Sequence, residues 1–175
     1  MIRRGGAQDV VAIAELFERS FGTLTFLPVL HTADEHRTWF GRVVEEQEVW
    51  VWEENGAILG FSVLGDGMLN YLYLEPDATG RGIGSALLDH AKSGKPDGFT
   101  LWTFQQNDGA RRFYERHGLR AIRFGDGSGN EEGVPDVQYE WSPAPSPGPS
   151  GALADRGSSA RSRAAGSRSS PRRSR

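Results

Sequence analysis

Residues 48–76, EVWVWEENGAILGFSVLGDGMLNYLYLEP, constrain the fold of this chain more than any other stretch. Three runs rich in β-branched and aromatic side chains are separated by Asn55-Gly56 and by the Gly-Asp-Gly of residues 65–67. Asn-Gly and Asp-Gly pairs tolerate positive φ at both central positions of a tight turn, and such turns match the twist of the strands they join. Residues 48–76 therefore read as three antiparallel strands, a meander to which every other element must attach.

What precedes the meander is helical. AQDVVAIAELFERSF, residues 7–21, places Val10, Ile13, Leu16, Phe17 and Phe21 at the steps of one helix face, with Asp9 as the expected cap. In HTADEHRTWFGRVVEE, residues 31–46, Thr32 and Glu35 have capping-box spacing, and Trp39, Phe40, Val43 and Val44 form the apolar stripe. After Pro76, helix and strand alternate. GIGSALLDHAK (82–92) carries Ile83, Leu87, Leu88 and Ala91 on one face, GFTLWTFQQ (98–106) is a strand, and DGARRFYERHG (108–118) is a short helix ended by Gly118. RAIRFGDG (120–127) and VPDVQYEW (134–141) are two more strands. With MIRRGG as a weak first strand, the order β-α-α-β-β-β-α-β-α-β-β is that of an α/β (α+β) mixed sheet with helices over its faces.

Composition removes several functions. The absence of cysteine excludes a disulfide scaffold, thiolate zinc sites and cysteine nucleophiles; His31, His36, His90 and His117 show no metal-ligand spacing, so no metal is expected. No run is long enough to span a membrane and the first residues lack the apolar core of a signal peptide, so no membrane partner and a cytoplasmic location are expected. The net charge of −3 is divided unevenly: residues 143–175 hold seven arginines against the single Asp155, which leaves 13 basic and 22 acidic side chains in residues 1–142. Residues 143–175 have no aromatic side chain and almost no branched aliphatic one, so a disordered Ser/Arg/Pro-rich tail is expected after a domain of residues 1–142. Its arginines suit phosphates, but nothing in it stacks on bases, and a nucleic-acid partner is not expected.

The functional signal lies in EPDATGRGIGSALLDHAK, residues 75–92, which packs three glycines into five residues between a strand and a helix. The first amides of a helix lack partners within it, and its dipole favours negative charge there. Glycines let an anion approach those amides without meeting a Cβ. A tight turn with a helix start is the plainer alternative. A P-loop fails because no lysine follows Gly84, and a dinucleotide fingerprint is weak because the strand after the helix ends in TFQQN, with no acidic residue for a ribose.

TGRGIGSALL resembles the pyrophosphate-binding motif of the GNAT superfamily of acyl-CoA N-acyltransferases, Gln/Arg-x-x-Gly-x-Gly/Ala, with Gly82 and Gly84 at its two small positions and Thr79 where Gln or Arg is usual. FQQNDGARRFYERHGL, residues 104–119, is similar to the family's later segment, an Asn after the fifth strand followed by a helix bearing Phe-Tyr-Glu-x-x-Gly. Asn107 and Tyr114 are the matching residues, and Leu119 stands where Phe is commoner. With the element order, the resemblance covers residues 2–141 and implies the acyl-CoA N-acyltransferase fold. In that fold the fourth strand splays from the fifth, and the pantetheine arm of acetyl-CoA lies in the gap.

On this chain the resemblance assigns the backbone of Leu72, Tyr73 and Leu74 to the pantetheine arm. It assigns Thr79, Gly80, Arg81, Gly82, Ile83, Gly84 and Ser85 to the pyrophosphate, with Arg81 substituting for the missing motif side chain. Asn107 would touch the cofactor arm, and Tyr114 would be the general acid for the departing thiolate. Without the family, Asn107 reads as a helix N-cap and Tyr114 as a core aromatic beside Phe113.

Acyl transfer needs a neutral amine, and an amine of pKa ~10.4 is deprotonated about once in 2,500 molecules at pH 7, a deficit of roughly 4.6 kcal/mol. A base, or a water chain to one, is required. Many family members carry a glutamate on the fourth strand; here Asn70 is mid-strand and Glu75 comes only at its end. Glu75 is one candidate base. The other is the loop GDGSGNEEGVPD (125–136), whose Asp126, Glu131, Glu132 and Asp136 would attract a protonated amine. His31, in LPVLHT before the second helix, is a further acceptor contact; a solvated loop and an ordinary loop histidine are the plainer readings of these two features.

The resemblance thus implies an N-acetyltransferase that moves an acetyl group from acetyl-CoA to the primary amine of a small molecule, by direct transfer in a ternary complex. A homodimer is compatible with this size and family. Acetylation of a protein N-terminus or lysine, and a non-catalytic acyl-CoA-binding module, stand as alternatives.

Overall fold

A computed structural model describes residues 1–143, and the expected tail lies, apart from its first residue, outside the described residues. The chain builds β1 (Ile2–Arg4), α1 (Val10–Phe21), α2 (Ala33–Glu46), β2 (Glu48–Glu54), β3 (Ala57–Gly65), β4 (Met68–Leu74), α3 (Ile83–Gly94), β5 (Phe99–Phe104), α4 (Asp108–Arg116), β6 (Arg120–Phe124) and β7 (Asp136–Trp141). Short 3-10 turns at Ala7–Asp9 and Pro76–Ala78 precede α1 and α3. The strands form one mixed sheet in the order β1-β2-β3-β4-β5-β7-β6. Both hairpin turns of the meander close as their sequences require, with φ of 53° and 80° at Asn55-Gly56 and 51° and 73° at Asp66-Gly67.

Alternation along the meander separates two cores. Val49, Val51, Phe61 and Val63 are buried with Ile13, Leu16 and Phe17 of α1 and Phe40 and Val43 of α2. On the opposite face Leu72 and Leu74 pack with Ile83 and Leu87 of α3, while Leu88, Leu101, Tyr114, Val137 and Tyr139 form the core toward α4. Each fully buried aliphatic side chain contributes about 1.5–3 kcal/mol, so the two faces fix which helix lies on which side of the sheet. The helix α3 comes close to β3 because residue 60 is glycine: a Cβ there would stand 2.5 Å from Leu74 Cδ2 and 3.2 Å from Ile83 Cγ2.

Two local expectations change. Asp9 sits at the start of α1 but makes no side-chain cap to it. Its carboxylate accepts from Gly6 N (2.9 Å) and from both Nη atoms of Arg3 (2.8 Å each), so it ties β1 to the first turn instead. A buried carboxylate is satisfied better by a guanidinium fork than by one amide. Trp39 remains 47% exposed at the margin of the α2 stripe, where its indole N–H donates to Tyr71 Oη (2.8 Å). Thr32 and Glu35 form the expected capping box.

Candidate active site

The strands β4 and β5 part almost as soon as they meet. Their parallel pairing is confined to Met68 and Thr100. The cause lies on the other edge of β4, where Val63 pairs with Tyr71 but Leu64 with Leu69, leaving Asn70 as an extra residue. A bulge of this kind bends the strand and shifts its alternation by one. Glu75 N donates to Leu59 O (3.0 Å), which sets the antiparallel alternation above the bulge. Tyr73 and Tyr71 bond back to β3, and the amides and carbonyls of Leu72 and Leu74 face the gap.

This open edge leads to the start of α3. Gly82 is the N-cap residue, in the left-handed region with φ 82° and ψ −2°, and no side chain caps the helix. Ala86 N bonds to Gly82 O (3.0 Å), while the amides of Ile83, Gly84 and Ser85 have no partner among the described residues. Gly80 also has positive φ (77°), and a Cβ built at Gly80 or Gly82 would project into open space. Three amides and the positive end of the α3 dipole thus face an approach that only the lack of side chains keeps clear.

Tyr114, on α4, is 8% exposed, with its ring 5.3 Å from Phe113 and 5.9 Å from Tyr139. Its hydroxyl has no hydrogen-bond partner among the described residues, and burial pushes its pKa well above the ordinary phenol value. Burial also raises Tyr73, with Tyr114, Tyr71 and Glu132 close enough to add to the shift. Asn107 caps α4, accepting from Ala110 N through Oδ1 (3.1 Å), and its Nδ2 is left over for another contact.

The loops flanking Tyr73 carry the acidic candidates. His31 Nε2 and Glu131 Oε1 are 2.8 Å apart across 100 residues of sequence. That hydrogen bond raises the imidazole pKa above its ordinary value, and the charges of Glu131, Glu35 and Glu132 add to it. The ring of His31 lies 5.9 Å from that of His36, whose Nδ1 is 3.1 Å from Glu18. Glu132 is half-buried and has no ion-pair or hydrogen-bond partner among the described residues. Phe21, Phe26 and Phe104 form the aromatic side of this mouth, with Tyr73 next to Phe21.

Other expected site residues are engaged elsewhere. Glu75 is held by Arg19 in a forked pair, Nη2 to Oε1 at 2.6 Å and Nε to Oε2 at 3.0 Å. It lines a groove of about 570 Å³ with Arg3, Asp9, Asp77 and Arg81, whose lining includes neither His31 nor Glu131. Arg81 donates to Glu54 Oε1 (2.7 Å), and Thr79 Oγ1 to Pro76 O (2.9 Å). Asp126 bonds to Ser128 N (3.0 Å), and Asp136 to Asn130 Nδ2 (3.0 Å), so both carboxylates shape the loop. Sequence reasoning missed His117, whose Nε2 is 2.9 Å from Ser85 Oγ.

The splayed strand pair, with its free backbone, opens onto an uncapped, glycine-lined helix start. Residues 45–120 match the family model described as the acetyltransferase (GNAT) domain. The chain is 36% identical over 74 residues to the peptidyl-lysine N-acetyltransferase YiaC of Escherichia coli (strain K12), covering 42% of this chain and 50% of that protein. It is 33% identical over 76 residues to the peptidyl-lysine N-acetyltransferase YjaB of the same organism, covering 43% of this chain and 51% of that one. The chain thus spans about half the length of these curated relatives. The solution structure of apo-form YjaB from Escherichia coli superposes with a TM-score of 0.68 at 25% identity, covering 82% of this chain and 98% of that one. Residues 45–120 thus match the acetyltransferase (GNAT) domain, and the fold is shared with the YjaB structure.

Proposed function

We propose that this chain transfers an acetyl group from acetyl-CoA to a primary amine by direct attack in a ternary complex. The observation that carries this reading is the junction of β4 and α3, where the free backbone of Leu72 and Leu74 runs toward the uncapped amides of Ile83, Gly84 and Ser85. The residues fit the donor. An amide-bearing arm can pair with Leu72 and Leu74 as a further strand would, and a diphosphate can meet three amides where a Cβ at Gly80 or Gly82 would stand in its way. When bound, acetyl-CoA supplies an acyl group activated as a thioester.

The chain's own groups supply the proton handling. Burial keeps the Tyr114 hydroxyl protonated through the neutral range, and because it is unpartnered it is free to donate to a leaving thiolate. Glu132 is the best-placed acceptor for the amine's proton: it acts electrostatically on Tyr73 and is not paired, whereas Glu131 is held by His31 and Glu75 by Arg19. Asn107 Nδ2 is available to the donor's arm. Arg81, committed to Glu54, is not needed for the diphosphate.

The acceptor is a small molecule whose amine is cationic in water, drawn in by the carboxylates of the mouth. A second reading, the side-chain amine of a lysine in a peptide, is supported by the names of the two curated relatives. Val29 and Leu30, 94% and 45% exposed beside His31, also offer a surface for a peptide's flanking side chains. The test is CoA release from acetyl-CoA over two panels, small amines and lysine peptides, with the product identified by mass. Acetylated small amine as the main product supports the first reading, and acetylated peptide alone replaces it with the second. Acetyl-CoA binding without release by any amine would leave only a binding module.

A further inference from the structure

Ser85 is the third residue of α3, so its side chain leans back toward the helix start, beside the amides proposed for the diphosphate. Its Oγ lies 2.9 Å from His117 Nε2, and His117 Nδ1 lies 2.8 Å from Phe113 O. A carbonyl can only accept, so Nδ1 carries a hydrogen. In the neutral ring Nε2 is then bare and accepts the hydroxyl hydrogen of Ser85, which turns only lone pairs toward the helix mouth. When the ring takes a second proton, Nε2–H donates to Oγ instead. The hydroxyl hydrogen is released to face the mouth, and a positive charge stands behind it.

We infer that Ser85 and His117 form a proton-coupled relay that sets how tightly the α3 start holds the diphosphate of CoA. The inference rests on the proposed CoA site and makes His117 a positioning residue, which reaches the ligand only through Ser85. The surroundings leave the relay free to act. His117 packs on Phe113, ring to ring at 4.4 Å. Among the charged groups nearby are Lys92 on α3, with Asp89 beside it, and Glu115 and Arg116 at the end of α4. Lys92 Nζ is bound to the His117 carbonyl (2.7 Å) and lies 3.9 Å from Asp89. Glu115 accepts from Tyr139 Oη (2.6 Å). None of these carboxylates pairs with the imidazole, so an anion at the helix mouth is the partner that gains from its protonation.

The sign follows from linkage. A ligand that favours the imidazolium takes up protons on binding, so affinity is higher at low pH and falls as pH rises. The probe is dephospho-CoA, because the 3′-phosphate of CoA has a second ionisation near pH 6 that would mask the effect. Calorimetric titration of the full chain is expected to give dissociation constants about fivefold to tenfold tighter near pH 5.5 than near pH 8. Pantetheine, which has no diphosphate, should show no such dependence. His117→Gln should flatten the profile of dephospho-CoA. Ser85→Ala, which leaves the α4 packing intact, should reduce the slope without abolishing binding.

A wild-type profile that is flat, or one that is equally steep in folded His117→Gln or Ser85→Ala, overturns the relay while leaving the CoA site standing. No binding of dephospho-CoA at any pH removes the site and the relay together.

Discussion

Substitution of Gly82 separates the backbone demand of the helix mouth from its electrostatic role. Gly82 sits at φ 82°, and an L-residue held there costs about 1–2 kcal/mol. No protein atom lies within 4 Å of an added Cβ, so the strain is confined to the backbone. Gly82→Ala should therefore lower Tm by roughly 3–8 °C for a domain of this size and leave a folded protein. Its methyl group occupies the approach to the Ile83, Gly84 and Ser85 amides, so acetyl-CoA should bind more weakly. Gly82→Asp adds a negative charge. At about 5 Å from a phosphate, with an effective dielectric of about 40, that charge costs roughly 1.7 kcal/mol, a further fifteenfold to twentyfold. Calorimetric titration with acetyl-CoA, on both variants after thermal melts establish folding, reads the two effects separately. A folded Gly82→Asp protein with an unaltered dissociation constant would refute the anion cradle.

Tyr114→Phe should reduce turnover by about a hundredfold or more, with little change in acetyl-CoA affinity. Because the hydroxyl is unpartnered, stability should change by less than about 0.5 kcal/mol, and unchanged turnover across the pH range would remove the acid role. Asp9→Asn tests β1. The Arg3 guanidinium holds the Asp9 carboxyl below the usual carboxylate range, so its contribution is fully present above the unfolded value near pH 4 and is lost as pH falls through the folded one. Urea melts should show a loss of about 1.5–3 kcal/mol at pH 7 that shrinks toward pH 3; an equal loss at both would contradict the pairing. Glu132→Gln should raise the KM of a cationic acceptor several-fold and lower turnover at neutral pH, and an unaltered pH–rate profile would exclude Glu132 as the base.

Local patterning made most of the fold legible. The turns at Asn55-Gly56 and Asp66-Gly67, the Thr32 capping box and the apolar faces of α1 and α3 depend on residues within four positions of one another, and each was readable. Asp9 was misjudged because its partner, Arg3, reaches it from a separate strand. The splay follows from one extra residue, Asn70, opposite β3, and pairing register is not visible within a single strand. The helix mouth was legible because glycine spacing before an apolar helix is local. What surrounds it was not: Arg81 is drawn to Glu54, Glu75 to Arg19 and Ser85 to His117, partners 27, 56 and 32 residues away. Charge composition pointed to the acidic loop, but the fold alone reveals that His31 engages Glu131, while Glu132 has no hydrogen-bond or ion-pair partner among the described residues.

The most direct test of the account is amide chemical-shift mapping of the 15N-labelled full chain during titration with acetyl-CoA. The largest shifts should fall on Leu72 and Leu74, whose backbone faces the gap, and on Ile83, Gly84 and Ser85 at the start of α3. Binding that leaves these amides unmoved, or that perturbs the groove around Arg3, Arg19 and Asp77 instead, would contradict it.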